Sequence, residues 1–253
     1  MSDARGRLYV VGLGPGGAGY LTEDARAALE TAQDLIGYAP YLARLPEREG
    51  QTRIGSDTRV ELERAREALR RTAGGRRVAL VSGGDPGVFA MAAAVFEAID
   101  TGDLAWRGLE VEVLPGVSAM LAAAARLGAP LGGDFCAISL SDNLKPWETI
   151  ATRLDCAARG DFVIALYNPA SRARPDRINE AFEILRATLP LERLVVFAKS
   201  IGRAEEEIVI GELGSADLSK VDMATLVIVG ARGTRLIERE GARPFVYTPR
   251  RVR

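Results

Sequence analysis

The chain has 253 residues, 47% of them hydrophobic and 26% charged, with a net charge of −1. That size and balance suit one large or two ordinary folded domains and exclude a disordered chain; a near-zero net charge offers no field to draw in nucleic acid or a membrane surface, and neither partner is expected. No histidine is present, so chemistry must rest on carboxylates, Lys, Arg, hydroxyls, backbone groups or a bound cofactor.

The N-terminus lacks the apolar region and cleavage site of a signal peptide, and a cytoplasmic location is expected. Residues 7–13 read as a buried strand running into Gly12-Leu13-Gly14-Pro15-Gly16-Gly17. This string contains GxGxxG, the dinucleotide pattern, but two details speak against that use. Ala18 to Leu21 separate the last glycine from Thr22, the best helix cap. The next strand, 34–37, carries its acid, Asp34, at its start, whereas a ribose needs one at the end. No element is assigned to residues 38–59. Residues 60–72 read as a helix with Leu62, Ala65 and Leu69 on one face and solvated Glu/Arg pairs elsewhere, ended by Gly74-Gly75.

Residues 78–81 read as a strand that breaks into Gly83-Gly84-Asp85-Pro86-Gly87. Three glycines and a proline in five positions mark a sharp bend open to close approach. Asp85 at its tip reads as a turn-stabilising acceptor, a ligand contact, or both. After an apolar helix to about residue 99, strand 109–114 ends in Pro115-Gly116-Val117-Ser118-Ala119 and an alanine-rich helix to 127. Ser118 reads as that helix's cap and as a ligand-binding corner. GAPLGG, 128–133, reads as a linker. The domain boundary is therefore placed within 115–133, giving domains 1–120 and 121–253.

The second half alternates again: strand 135–140, polar loop 141–145, helix 146–160, strand 162–167, helix 176–188, strand 194–197. Cys136 and Cys156 are too few and too far apart for a metal centre; no metal is expected, and both read as small core hydrophobes. Residues 206–213 and 225–230 read as strands joined without a full helix, hence antiparallel or mixed. The basic tail after Gly233 is expected to be poorly ordered. The expected fold class is α/β: two α/β domains, the N-terminal sheet mostly parallel and the C-terminal sheet mixed, with the active site in the cleft between them.

Four segments, VVGLGPGGAGYLT (10–22), LVSGGDPGVF (80–89), VLPGVSA (113–119) and TLVIVG (225–230), occur in the order and spacing of the tetrapyrrole methylases, and the chain resembles that family over nearly its whole length. IGYAPY (36–41), VELERAREAL (60–69), SGGDPGVFAMA (82–92) and LYNPASRARP (166–175) are most similar to the branch that methylates C17 of precorrin-3B with ring contraction. IGSDTRVELERA (54–65) departs from that branch, which usually has a glycine–methionine pair there.

The resemblance implies S-adenosylmethionine as methyl donor, S-adenosylhomocysteine as product, a reduced tetrapyrrole bearing acetate and propionate groups as substrate, and a homodimer. Carried over by motif, donor contacts fall on Pro15, Gly83, Gly84, Asp85, Val88, Ser118 and Ala119, and from neighbouring loops on Asn168 and Ala224. The substrate's carboxylates call for cations: Arg53, Arg59, Arg172, Arg174 and Lys199. Ring contraction also needs a proton acceptor, with Asp57, Asp85, Lys199 and the substrate's own carboxylates as candidates; Asp57 and Lys199 are singled out. Whether the substrate is metal-free or cobalt-bearing, or is methylated at another ring position, stays open.

Overall fold

Strands that are apolar on both faces need cover on both faces, and the first half of the chain supplies it. The computed structural model describes residues 6–57, 60–171 and 174–251; Arg59 and Arg172 lie outside them. The chain divides into two compact units, 1–118 and 119–253.

The first unit runs β1 (Arg7–Gly12), α1 (Glu23–Thr31), β2 (Asp34–Tyr38), α2 (Ala39–Leu42), β3 (Thr52–Ser56), α3 (Glu61–Ala73), β4 (Arg77–Ser82), α4 (Met91–Thr101) and β5 (Glu110–Leu114). The strands form a parallel sheet in the order β3-β2-β4-β1-β5. One face buries Leu8, Val10, Ile36, Val78 and Leu80 under Ala65 and Leu69 of α3 and Val95 and Ala98 of α4. The other buries Val11, Leu35, Ala79 and Val81 under Ala25, Ala28 and Leu29 of α1 and Leu42 of α2. Thr22 caps α1 as its type suggests, its hydroxyl accepting from the Ala25 amide at 3.2 Å. Strand β3 has no counterpart in the sequence reading. TRIGS carries one large apolar residue, and it is a strand because the open edge of β2 offers it a ladder.

The second unit runs α5 (Ala119–Leu127), β6 (Gly128–Ala129), β7 (Phe135–Ser139), α6 (Trp147–Arg159), β8 (Val163–Tyr167), α7 (Arg177–Thr188), β9 (Leu194–Lys199), β10 (Glu207–Glu212), β11 (Thr225–Val229), β12 (Arg235–Ile237) and β13 (Phe245–Tyr247). Its main sheet is mixed, in the order β10-β9-β11-β8-β7. Only β7 and β8 pair in parallel; the other three pairs are antiparallel. Ile150 and Leu154 of α6 and Ile178, Phe182 and Leu185 of α7 pack on Ile164, Leu166, Val195 and Val227.

Two expectations are corrected here. GAPLGG is not a free linker, and the tail, over its described residues up to 251, carries two strands. Gly128 and Ala129 form β6, which pairs with β13, and β13 pairs with β12 in a small second sheet. Val246 alternates inward and is 1% exposed, while the Thr248 amide and hydroxyl donate to the Ala129 and Pro130 carbonyls at 2.9 and 2.5 Å. The short period-two pattern of the tail is masked in the sequence by its arginines. The cysteines also separate: Cys136 packs half-buried against the core, where burial pushes its thiol pKa up, but Cys156 is exposed on α6. No helix among the described residues is long and apolar enough to cross a membrane.

Asp34, at the start of β2, is fully buried and accepts from Arg76 Nε at 2.9 Å, from Arg76 Nη2, and from Arg71 Nη1 at 3.4 Å. The carboxylate a dinucleotide site would want is thus consumed at the opposite end of the strand. Arg76 and Arg71 hold the Asp34 pKa below its ordinary value against the cost of burial. Its stabilising contribution is therefore complete above the unfolded-state pKa, about 4, and is lost as pH falls through the depressed folded value. Asp34→Asn should cost about 3 kcal/mol in denaturant unfolding at pH 7, and the deficit should shrink in the same titration carried to strongly acid pH.

Candidate active site

Strands β4, β1 and β5 are neighbours in the first sheet and end at the same edge. There the chain must turn three times in a small space, and it does so backbone against backbone. Gly14 and Gly84 both have left-handed φ, +67° and +66°, and exchange two hydrogen bonds, Gly14 N to Gly84 O at 3.1 Å and Gly84 N to Gly14 O at 3.0 Å. Gly116 closes the cluster from β5. A side-chain carbon on Gly116 would come within 2.3 Å of Gly84 O, and one on Gly12 within 2.6 Å of Gly116 N. Only glycine permits this approach. The glycines read as opening the backbone to a ligand thus first pack the three loops on each other.

Asp85 ties the same loops by its side chain. Its Oδ1 accepts from the Gly87 amide at 2.8 Å, an Asx-type turn, and its Oδ2 accepts from the Gly116 amide at 3.0 Å. The residues around it come from the connection after β2, which the sequence reading left unassigned. Tyr41 lies against Gly83, where a side-chain carbon would meet its ring carbon Cζ at 2.6 Å. Arg44 donates to the Gly14 carbonyl at 3.3 Å and to the Gly16 carbonyl. Tyr41 lies within IGYAPY, a segment quoted only for its resemblance; Arg44 carried no signal beyond its charge.

The expected catalytic and substrate residues fare differently. Arg53 holds backbone: its guanidinium donates to the carbonyls of Leu42 and Leu45, at 3.1 and 3.0 Å, and to that of Pro46. A short helix end leaves orphan carbonyls, and the arginine facing it from β3 takes them up. Asp57 is exposed just past β3. Its carbonyl accepts from Arg64 at 2.6 Å; Arg64, itself buried, also donates to Ser56 Oγ at 2.7 Å and Met91 Sδ at 3.3 Å.

The second unit presents its own strand ends. Asn168, directly after β8, has φ +53° and donates through Nδ2 to the buried Ser139 Oγ at 2.9 Å. Arg174 pairs with Asp142 at 3.2 Å, alongside Arg177 at 2.7 Å. Lys199, ending β9, pairs with Asp222 at 2.7 Å, and that carboxylate also accepts from the Ala224 amide and Thr225 hydroxyl at 2.9 and 3.0 Å. Asp222 raises the Lys199 pKa above its ordinary value. The ion pair holds Lys199 in place as a cation at the end of β9.

Gly116→Ala should destabilise the first unit by at least about 2 kcal/mol, because its neighbour is backbone and cannot yield. Asp85→Asn should cost about 1–3 kcal/mol, since an amide has one acceptor oxygen for two N–H groups. Urea titration of each variant measures both.

The family model for tetrapyrrole (corrin/porphyrin) methylases matches residues 7–217. A protein of a Sinorhizobium species named precorrin-3B C(17)-methyltransferase is 58% identical over 245 residues, 97% of this chain and 96% of that one. The crystal structure of the methyltransferase CobJ superposes with a TM-score of 0.91 at 51% identity, covering 96% of this chain and all of that one. A uroporphyrin-III C-methyltransferase of Thermus thermophilus, solved with S-adenosylhomocysteine, gives a TM-score of 0.68 at 26% identity, covering 89% of this chain and 97% of that one. The glycine-bridged loops after β1, β4 and β5 lie within the matched span, and the chain belongs to the tetrapyrrole methylases.

Proposed function

We propose that this chain transfers a methyl group from S-adenosylmethionine to C17 of precorrin-3B, with ring contraction to precorrin-4, in corrin biosynthesis. The observation that carries the reading is 58% identity, spread along essentially the full length of both chains, to a protein named for that reaction. The family is S-adenosylmethionine-dependent. At the first unit's strand ends the chemistry available suits a zwitterionic nucleoside donor: backbone amides and carbonyls, the Asp85 carboxylate and the Ser118 hydroxyl. Donor contacts are assigned to Pro15, Gly83, Gly84, Asp85, Val88 and Ser118 in the first unit and to Ala119, Asn168 and Ala224 in the second. When bound, the donor supplies an electrophilic methyl group on a sulfonium.

The chain's own work is orientation and charge. Asp85 holds the β4 and β5 loops as one surface, so the groups on them keep a fixed spacing while substrate binds. Lys199, kept protonated by Asp222, and Arg174, held by Asp142, supply positive charge for the macrocycle's carboxylates. Removal of the hydroxyl proton during ring contraction is assigned to Asp57, whose main chain Arg64 fixes.

Anaerobic incubation with S-adenosylmethionine and precorrin-3B, followed by mass and absorbance, should show one methyl gained and one S-adenosylhomocysteine formed per turnover. Turnover of a cobalt-bearing substrate alone would transfer the assignment to that form. Asp57→Asn should lower kcat by about a hundredfold. Lys199→Met should raise the tetrapyrrole KM and leave the shape of the kcat profile between about pH 6 and 9 unchanged, because the ammonium does not titrate there.

A further inference from the structure

Among the described residues four aspartates accept from the backbone amide two positions on, the mark of an Asx turn. Asp85 accepts from Gly87 at 2.8 Å, Asp103 from Ala105 at 2.9 Å, Asp217 from Ser219 at 3.0 Å and Asp222 from Ala224 at 2.9 Å. The bonds of Asp103 and Asp217 stay inside their own turns, and stiffening a loop accounts for them. Asp85 and Asp222 differ. Each gives its second oxygen to a distant element: Asp85 to the Gly116 amide after β5, Asp222 to the Lys199 ammonium ending β9, 2.7 Å away. One lies in the first unit and the other in the second, each beside residues assigned above to the methyl donor.

Around Asp222 the bonds converge on Ala224. Asp222 Oδ1 accepts from the Ala224 amide and from the Thr225 hydroxyl at 3.0 Å. The Thr225 amide donates back to the Asp222 carbonyl at 3.0 Å, and the Asp222 amide donates to the Thr225 hydroxyl at 3.2 Å. The Ala224 carbonyl accepts from the Ser200 amide at 2.9 Å, where Ser200 has a left-handed φ of +50°. Both backbone groups of Ala224 are therefore held, one by Asp222 and one by the residue after Lys199. A ligand meets there a methyl group and the second lone pair of the carbonyl, in a fixed place. With side chains 36% and 48% exposed, the Lys199–Asp222 pair adds little to stability; its effect is to fix where the ammonium stands.

We propose that Asp222 is a positioning residue that serves both reactants: one oxygen sets Ala224 for the methyl donor, and the other holds Lys199 for a carboxylate of the tetrapyrrole. This rests on the donor and substrate contacts of the proposed function. The two oxygens belong to one planar group and cannot shift independently, so the donor contact and the substrate cation keep one spacing.

The test separates the two oxygens in the full chain. Asp222→Asn keeps an acceptor for Ala224 and Thr225 and replaces the oxygen facing Lys199 with an amide nitrogen; Asp222→Ala removes both. By calorimetry the S-adenosylhomocysteine Kd should stay within about twofold of wild type in the asparagine variant and weaken about tenfold in the alanine variant. The precorrin-3B KM should rise about two- to fivefold in both. In a Lys199→Met background the asparagine substitution should leave KM where Lys199→Met alone puts it, because the partner is gone. A merely structural role would move donor Kd and KM together in both variants. Three results overturn the proposal: an unchanged donor Kd in the alanine variant, a donor Kd weakened equally in the asparagine variant, or an asparagine effect on KM that persists without Lys199. The donor measurements need no turnover. If wild type binds S-adenosylhomocysteine without turning over precorrin-3B, the reaction assignment fails by itself. The substrate measurements then use the Kd of uroporphyrin, a stable tetrapyrrole with acetate and propionate groups, and the same three results decide the role of Asp222.

Discussion

The contact on which the first unit's ligand edge depends is backbone on backbone. Gly12 and Gly116 approach each other and the Gly84 carbonyl more closely than a side chain on either would allow, and the Gly14–Gly84 exchange of hydrogen bonds locks two of the loops together. Asp85 locks the third by reaching across to the Gly116 amide. The loops therefore form one surface, not three flexible turns. A group that must hold a donor in line with an acceptor carbon gains from that rigidity, because small displacements of reacting atoms cost large factors in rate.

Arginine does much of the supporting work, and often without a carboxylate. Arg44 holds the first glycine loop by its carbonyls, Arg53 closes the end of α2, and Arg64 joins the end of β3 to the start of α4. A planar fork with five N–H donors can satisfy several carbonyls at once, which a lysine cannot do in fixed geometry. The cations that stay near the surface are of another kind. Lys199 and Arg174 sit at strand ends beside one carboxylate each, held in place with their charge retained. Charge alone does not separate these two uses; the neighbouring backbone does.

Much of the architecture was legible because it is written in local pattern. The doubly buried strands β1, β2 and β4 are short apolar runs, α3 carries its apolar stripe at helical spacing, and Thr22 caps α1 through its own hydroxyl. Asp34 was readable as misplaced for a ribose because strand direction follows from the loop order. The strands β3, β6, β12 and β13 were not legible. Each is two to five residues long, too short for a periodic signal, and each exists because a neighbour's unpaired edge offers hydrogen bonds.

The sequence by itself determined the two-part α/β plan, the strand-end glycine loops, the lack of imidazole chemistry and, through motif order, the family. Those features depend on residue type and on spacing along the chain. Only the tertiary structure decided what the charged and strained residues do. It turned Arg53 into a cap for α2, set Asp222 beside Lys199 as its ion-pair partner, and gave Asp85 a partner 31 positions away at Gly116. It also fixed Phe89 in a backbone conformation that its own chemistry disfavours. Hydrogen bonding and electrostatics act over a few ångströms of space whatever the distance along the chain, so these roles become visible only once the fold has brought the partners together.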